Sequence, residues 1–426
     1  MGRLLAFMAT LIALSLALAV GLIAIAPRPL PSQAERSVGD GSFALTVHAS
    51  LPSELVSNSA HSAVSTVARM SLEQRIRSLL MVSLAGQNPS TLDAFVSSVG
   101  AGGFILMGTN IPASPGELAA ETAALKGASN LPRLVAIDEE GGEVKRLPYD
   151  LFAGANTLRG AAPESTFQAF SDRSTLLRQV GANVNFGVVA DVSSDPKAFI
   201  YGRSFGSEGS SAGARVSQAV TAEVRGGIAS TLKHFPGHGS AAGDSHTSIP
   251  TSGLDLTAWR SSDGEPFAAG IKAGASAVMF GHLSFPAVDA APASVSARWH
   301  KILRDQMNFH GLAITDDMTM LQRSKDPSLL NPVENAIRAF EAGNDLLVYT
   351  WGDTPASAGI DVDQLVAGVV SAVQSGRIAL KQINESALRV MALRAQLGNS
   401  SVSASQVCNV ACLFGYSQLG LTVSSQ

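Results

Sequence analysis

Cysteine is almost missing from this chain: two residues in 426, Cys408 and Cys412, both close to the C-terminus. That excludes a fold stapled by disulfides. Charge is also scarce. Asp, Glu, Lys and Arg make up 15% of the residues and the net charge is −4, so there is no basic footprint for nucleic acid. No G-x-G-x-x-G follows an apolar run, which leaves a dinucleotide site without support. What is abundant is apolar residues, at 46%, and glycine, with 40 residues. The first excludes a disordered chain and supplies a large core. The second points to many tight turns, as in an α/β protein with short strands.

The two ends differ from the middle. Met1-Gly2-Arg3 precedes an uncharged run from Leu4 to Ala26. A basic start followed by such a run reads as an export signal, and the run is long enough to span a bilayer. Pro27 hinders cleavage after Ala24-Ile25-Ala26, and Ser32-Gln33-Ala34 offers a second site. Residues 1–26 are therefore expected to be a membrane anchor or a cleaved signal peptide, with an extracytoplasmic product. No cysteine lies near enough for a lipid anchor. Residues 27–69 are rich in Ser, Pro and Ala and read as a linker. From 398 to 426 the chain is a polar tail, in which Cys408 and Cys412 either pair in an oxidising compartment or stay idle thiols. The middle, 70–397, has about 330 residues, which suits one (β/α)8 barrel.

Short apolar runs recur through that middle. Strands are predicted at Leu80–Leu84, Gly103–Met107, Leu134–Ile137, Val184–Val189, Ser230–Leu232, Ala277–Phe280, Leu312–Thr315 and Asp345–Tyr349. Helical spacing marks Thr91–Val99, Gly116–Lys126, Ser210–Arg225, Thr257–Ala273, Ser296–Met307 and Val333–Ala342. Gly100, Gly226 and Gly343 stand as helix C-caps. Eight strands alternating with helices predict a closed parallel barrel of TIM type; an open doubly wound sheet is the alternative.

Polar residues follow five consecutive strands: Asp138-Glu139-Glu140, Asp191 and Arg203, Lys233-His234, His282, and Asp316-Asp317. One alone would pass for a helix cap. Five at the same strand end face one mouth of a barrel, where barrel active sites are built. The segment KHFPGHGSAAGDSHTSIP (Lys233–Pro250) reads as a mobile loop. Asp244 and His246, one residue apart, can meet on one side of it, and a carboxylate fixes an imidazole as a general acid/base. Metal binding is the competing reading of these histidines, but the proline and glycines deny them a rigid helical spacing.

KHFPGHG followed by DSH closely resembles glycoside hydrolase family 3, in its β-N-acetylhexosaminidase branch. The resemblance covers most of Ser71 to Leu397 and is carried also by IDEEGGEVKRL (137–147), NFGVVADV (185–192), GRSFG (202–206), PASVS (292–296), LRDQMNFHGLAITDDMTM (303–320) and AGNDLL (342–347). Gly187-Val188 departs from the family's usual Ala-Pro. By this resemblance Asp316 is the nucleophile, His246 the acid/base and Asp244 its partner. Asp138, Arg203, Lys233, His234 and His282 would bind the sugar, His238 would shape the loop, and Asp317, Glu139 and Glu140 would be structural. The implied activity is retaining hydrolysis that releases terminal N-acetylglucosamine from a carbohydrate such as a peptidoglycan fragment, without metal or organic cofactor. A β-glucosidase, a phosphorylase and a glycan-binding barrel without catalysis are the alternatives.

Overall fold

The structure, a computed structural model, describes residues 54–398. Eight parallel strands close into one barrel in chain order. They are β1 (Leu80–Val82), β2 (Gly103–Leu106), β3 (Leu134–Ile137), β4 (Val184–Val189), β5 (Ala229–Phe235), β6 (Ala277–Phe280), β7 (Leu312–Asp317) and β8 (Leu346–Tyr349). Closure is made by β8 against β1, with Leu80 opposite Leu347. Nearly every strand residue is buried, because the barrel interior covers one face and helices cover the other. That is why the strands read as continuous apolar runs rather than alternating ones.

The helices are α1 (Glu54–Arg69), α2 (Pro89–Val99), α3 (Pro115–Lys126), α4 (Pro163–Gln179), α5 (Gly209–Arg225), α6 (Gly264–Lys272), α7 (Pro332–Ala342), α8 (Val362–Gln374) and α9 (Leu380–Gly398), with shorter turns between them. Proline at the first turn and a side-chain cap start several of them: Asn88 accepts from Thr91 N–H and Asn331 from the N–H groups of Val333 and Glu334. Gly100 and Gly343 end α2 and α7 at φ of 73° and 121°. Gly226 does not take the left-handed role; it stays helical at φ −73°, and Gly227 turns the chain at φ 75°.

Three expectations change. Residues 54–69 are not linker: they form α1, whose Ala63 and Val67 are buried in the main core against α9. Their apolar spacing of four was masked by the surrounding serines. The helix expected over 257–273 is broken, with Leu256–Arg260 separate from α6, because Ser261-Ser262-Asp263-Gly264 favours caps and turns over helix interior. The helix expected over 296–307 is helical for Ala297–Lys301 and widens into a π turn over Ile302–Gln306. The helices α4, α8 and α9 were not anticipated. The apolar run at 4–26 and both cysteines lie outside the described residues. Among the described residues no helix is long and apolar enough to cross a membrane.

Two strands run further than their apolar pattern. β5 continues through Lys233 and His234 to Phe235, and β7 continues through Asp316 to Asp317. The register shifts in the β5–β6 and β7–β8 pairs at these ends, as bulges do beside functional sites. Phe235 anchors the end of β5. Its ring packs with Phe280, Phe267, Trp299 and Trp259 at centroid distances of 4.9, 5.2, 5.7 and 5.8 Å. Each such contact adds about 0.5–1.5 kcal/mol beyond area burial.

Candidate active site

A cavity of about 1130 Å³ opens at the C-terminal ends of the strands. Asp138, Arg203, Lys233, His234, His246 and Asp316 all line it. Six of the eight side chains picked from the sequence thus share one space.

The floor is a charge lattice. After β3 the chain turns at Gly141 and Gly142, at φ 79° and 70°. Gly141 bridges back to Val144, which returns Arg146 to Asp138 at 3.1 Å. A Cβ at Gly141 would lie 2.1 Å from Arg173 Nη2, so only glycine fits. From β5, Lys233 Nζ reaches Asp138 Oδ1 at 2.8 Å and Glu140 Oε1 at 2.7 Å. Arg203 grips both oxygens of Glu140, at 2.9 and 2.7 Å. Burial alone would raise the Asp138 carboxyl, but Lys233 and Arg146 outweigh it and hold Asp138 well below the usual carboxylate range. Glu140 is lowered against its burial in the same way by Lys233 and Arg203. Burial would lower Lys233, yet Asp138 and Glu140 raise it. The two carboxylates of the floor are therefore ionised and each is paired with two of its three cations.

His234 is held neutral. Burial comes first and Arg203 second in pushing its pKa well below the ordinary value. Its Nδ1 lies 2.7 Å from Asp191 Oδ2, and its Nε2 3.4 Å from Arg203 Nη2. With Nδ1–H donating to Asp191, Nε2 accepts from the guanidinium. Asp191 also accepts the backbone N–H groups of His234 and His238, at 3.2 and 2.6 Å, and burial pushes it up to about 6. Asp191 thus fixes both β5 and the start of the loop that follows.

At the end of β7 two adjacent carboxylates have opposite fates. Asp317 is buried and accepts five hydrogen bonds: Thr319 N–H and O–H at 3.1 and 2.6 Å, Thr350 N–H and O–H at 3.0 and 2.5 Å, and Arg323 at 2.7 Å. Asp316 is half-buried, lines the cavity and, among the described residues, accepts only the N–H of Asp317, at 2.8 Å. Successive strand residues point to opposite sides, which separates the pair.

His282 is not in the cavity, contrary to the sequence expectation. It is fully buried, with Nε2 2.9 Å from the Asp317 carbonyl and Nδ1 2.7 Å from Ser294 Oγ. Both ring nitrogens are satisfied by the wall, so His282 supports the backbone of β7 from behind.

The segment after β5 forms an arm over the mouth. Ser240 Oγ donates to Asp263 Oδ2 at 2.5 Å and meets Ser252 Oγ at 2.8 Å, and Ala242 bridges Thr251. The feet of the arm are thereby tied. At its tip, Asp244 Oδ1 contacts His246 Nδ1 at 2.6 Å and accepts His246 N–H at 3.0 Å. The two side chains remain 44% and 56% exposed. Asp244 itself lies outside the cavity lining and touches His246, which lines it. Burial would raise its carboxyl, but the bonds from His246 bring it below its ordinary value. With Nδ1 occupied, Nε2 is the nitrogen left to exchange a proton with a ligand.

Sequence reasoning missed Arg146, although its motif was on the page, and took Glu140 as structural when it also lines the cavity. It missed Phe199 and Trp351, which line the cavity from loops without any periodic signal. Glu139 is structural as expected: it is buried, and its Oε2 accepts Arg146 N–H and Leu147 N–H at 2.9 and 3.0 Å. Burial pushes Glu139 up to about 8.

Residues 71–393 match the family profile described as the glycosyl hydrolase family 3 N-terminal domain. Beta-hexosaminidase A of Pseudoalteromonas piscicida is 30% identical over 342 residues, which cover 74% of this chain and 56% of that protein. The beta-hexosaminidase of Xanthomonas oryzae pv. oryzae (strain KACC10331 / KXO85) is 33% identical over 253 residues, covering 57% of this chain and 75% of its own. Among solved structures, the family 3 β-N-acetylglucosaminidase from Paenibacillus sp. str. FPU-7 superposes with a TM-score of 0.70 at 29% identity, over 78% of this chain and 64% of that one. The chain therefore spans a little over half the length of the first of these relatives.

Proposed function

We propose that this chain, which belongs to glycosyl hydrolase family 3 through its N-terminal domain, is an exo-acting retaining β-N-acetylhexosaminidase. The observation that carries the reading is the split between Asp316 and Asp317. Asp316 faces the cavity with little holding it, while Asp317 is consumed by five bonds.

In this account Asp138, Lys233 and Arg203 hold hydroxyls of the terminal sugar by charged hydrogen bonds. His234, kept neutral, orients the Arg203 guanidinium. Asp316 attacks the anomeric carbon as the glycosidic C–O bond breaks, and a glycosyl ester forms. His246 delivers its proton to the departing oxygen. The neutral imidazole then takes a proton from water, which attacks the anomeric carbon and frees Asp316. Asp244 stabilises the imidazolium in both half-reactions. A deprotonated imidazole carries no charge, so it does not repel an anionic leaving group as a carboxylate would. That favours peptidoglycan fragments, whose muramic acid bears a carboxylate, as substrates, and an exported location, attached through residues 1–26 or released, fits them.

The test compares an aryl β-N-acetylglucosaminide carrying an acidic phenol with a β-linked N-acetylglucosamine disaccharide. His246→Ala should spare the first step with the aryl glycoside and cripple the disaccharide. Equal losses on both would remove the acid role. Rates with and without inorganic phosphate decide between hydrolysis and phosphorolysis, with no phosphate dependence expected.

A further inference from the structure

The arm that carries His246 is fastened at its feet and at Ser245 of its tip, but among the described residues the hydrogen bonds of His246 itself reach only its loop neighbour Asp244. The clamped part ends at the Ala242–Thr251 bridge, and Gly243, at φ 118°, starts the tip. The hydrogen bonds of the tip stay within the arm: Thr247 N–H and Ser248 N–H go to the Asp244 carbonyl, His246 N–H and Nδ1 meet the Asp244 side chain, and the buried Ser245 Oγ lies 3.3 Å from His238 Nε2 at the foot. None of these fixes the imidazole over the cavity.

One ring contact does join the tip to another strand's loop. Phe199 lies between β4 and α5. Its ring stands perpendicular to His246, with centroids 5.6 Å apart and an angle of 82°. The same ring meets His238, at the foot of the arm, at 5.4 Å, and the Arg203 guanidinium lies over it at 5.2 Å. Phe199 is thus wedged between the floor, the foot and the tip. It is 38% exposed, one of three large apolar side chains left so open among the described residues. A phenyl ring in that state gains by being covered, and the imidazole is what covers it.

We infer that Phe199 is the latch that holds the His246 tip over the cavity, and so a positioning residue for the proton-transfer step. This rests on His246 being the acid/base. The latch acts on the acid and not on the nucleophile, so its removal must hurt substrates in proportion to their need for protonation.

The experiment measures kcat/KM, which reports the first chemical step, for Phe199→Leu, Phe199→Tyr and His246→Ala on the two substrates above. Leucine keeps apolar bulk but loses the ring contact. For Phe199→Leu we expect a loss of about 2- to 12-fold on the disaccharide, the range spanned by one aromatic pair. On the activated aryl glycoside the change should stay within about twofold, as for a surface substitution. Turnover of that glycoside also shows that each variant is folded. Phe199→Tyr, which retains the ring, should restore the disaccharide rate. Equal losses on both substrates would overturn the inference, because the ring would then act on the sugar or on Arg203. So would an unchanged disaccharide rate in Phe199→Leu. If His246→Ala discriminates between the substrates and Phe199→Leu does not, the latch alone fails. If His246→Ala does not discriminate, the acid/base assignment fails and the latch with it.

Discussion

Replacing Asp317 and Asp316 in turn should separate structure from chemistry at neighbouring positions. Asp317→Ala removes the acceptor for five hydrogen bonds that join the end of β7 to Thr319, Thr350 and Arg323. Arg323 is half exposed and water replaces its partner at little cost. The two hydroxyls can rotate to other acceptors. The N–H groups of Thr319 and Thr350 cannot, and each unsatisfied buried donor costs about 1–3 kcal/mol. The sum is about 2–6 kcal/mol, which at about 2.1 cal/mol/K of unfolding entropy per residue lowers the melting temperature of a chain of this size by about 3–8 °C. Asp316→Ala frees only the N–H of Asp317 and relieves repulsion between adjacent carboxylates. It should melt within about 2 °C of the parent, since surface changes stay near 0.5 kcal/mol, yet lose all turnover. Thermal melts followed by circular dichroism, with turnover of an aryl N-acetylglucosaminide on the same samples, measure both. An Asp317→Ala protein as stable as the parent, or an Asp316→Ala protein as weakened as Asp317→Ala should be, would refute the reasoning.

Glu139 sets a pH dependence. Its folded pKa is raised from 4.5 to about 8, so the folded state holds a proton that the unfolded chain releases. Its contribution to stability is whole below pH 4.5 and is lost as pH rises towards 8. Glu139→Gln keeps a neutral side chain with an acceptor for the two N–H groups, so its melting temperature should exceed the parent's at pH 8 and match it near pH 4.5. Lys233→Met leaves Asp138 and Glu140 to Arg146 and Arg203 alone; breaking so buried a pair costs about 3–5 kcal/mol, and denaturant unfolding should show it along with loss of turnover. Deleting residues up to 69 uncovers the core face that Ala63 and Val67 occupy; a loss of about 2–4 kcal/mol is expected, read as a lower denaturation midpoint.

The bounds of β3, β4 and β6 were legible in the sequence because a strand buried on both faces is an unbroken apolar run. β5 and β7 were cut short because the run stops where the site begins. Lys233, His234 and Asp316 look like loop residues by polarity, yet the ladder tolerates Lys233 and His234 because Asp138, Glu140 and Asp191 pair with them, and Asp316 because its side chain faces the open cavity. That mutual pairing is tertiary, so no window of sequence shows it. The same holds for His282. Its position after β6 matched the other candidates, and only Ser294 and the Asp317 carbonyl, 12 and 35 residues away, decide that it faces the wall. Asp244 and His246 were legible because their contact is local. α1 was hidden by composition, since serine between its apolar positions resembles a linker until α9 is seen beside it.

The most direct test of Asp316 as nucleophile is mass spectrometry of the protein after reaction with a fluorinated N-acetylhexosamine analogue that stalls the glycosyl ester. One covalent sugar is expected, with peptide mapping placing it on Asp316. A label on Asp317 or any other side chain, or rapid turnover with no adduct on any residue, would contradict it.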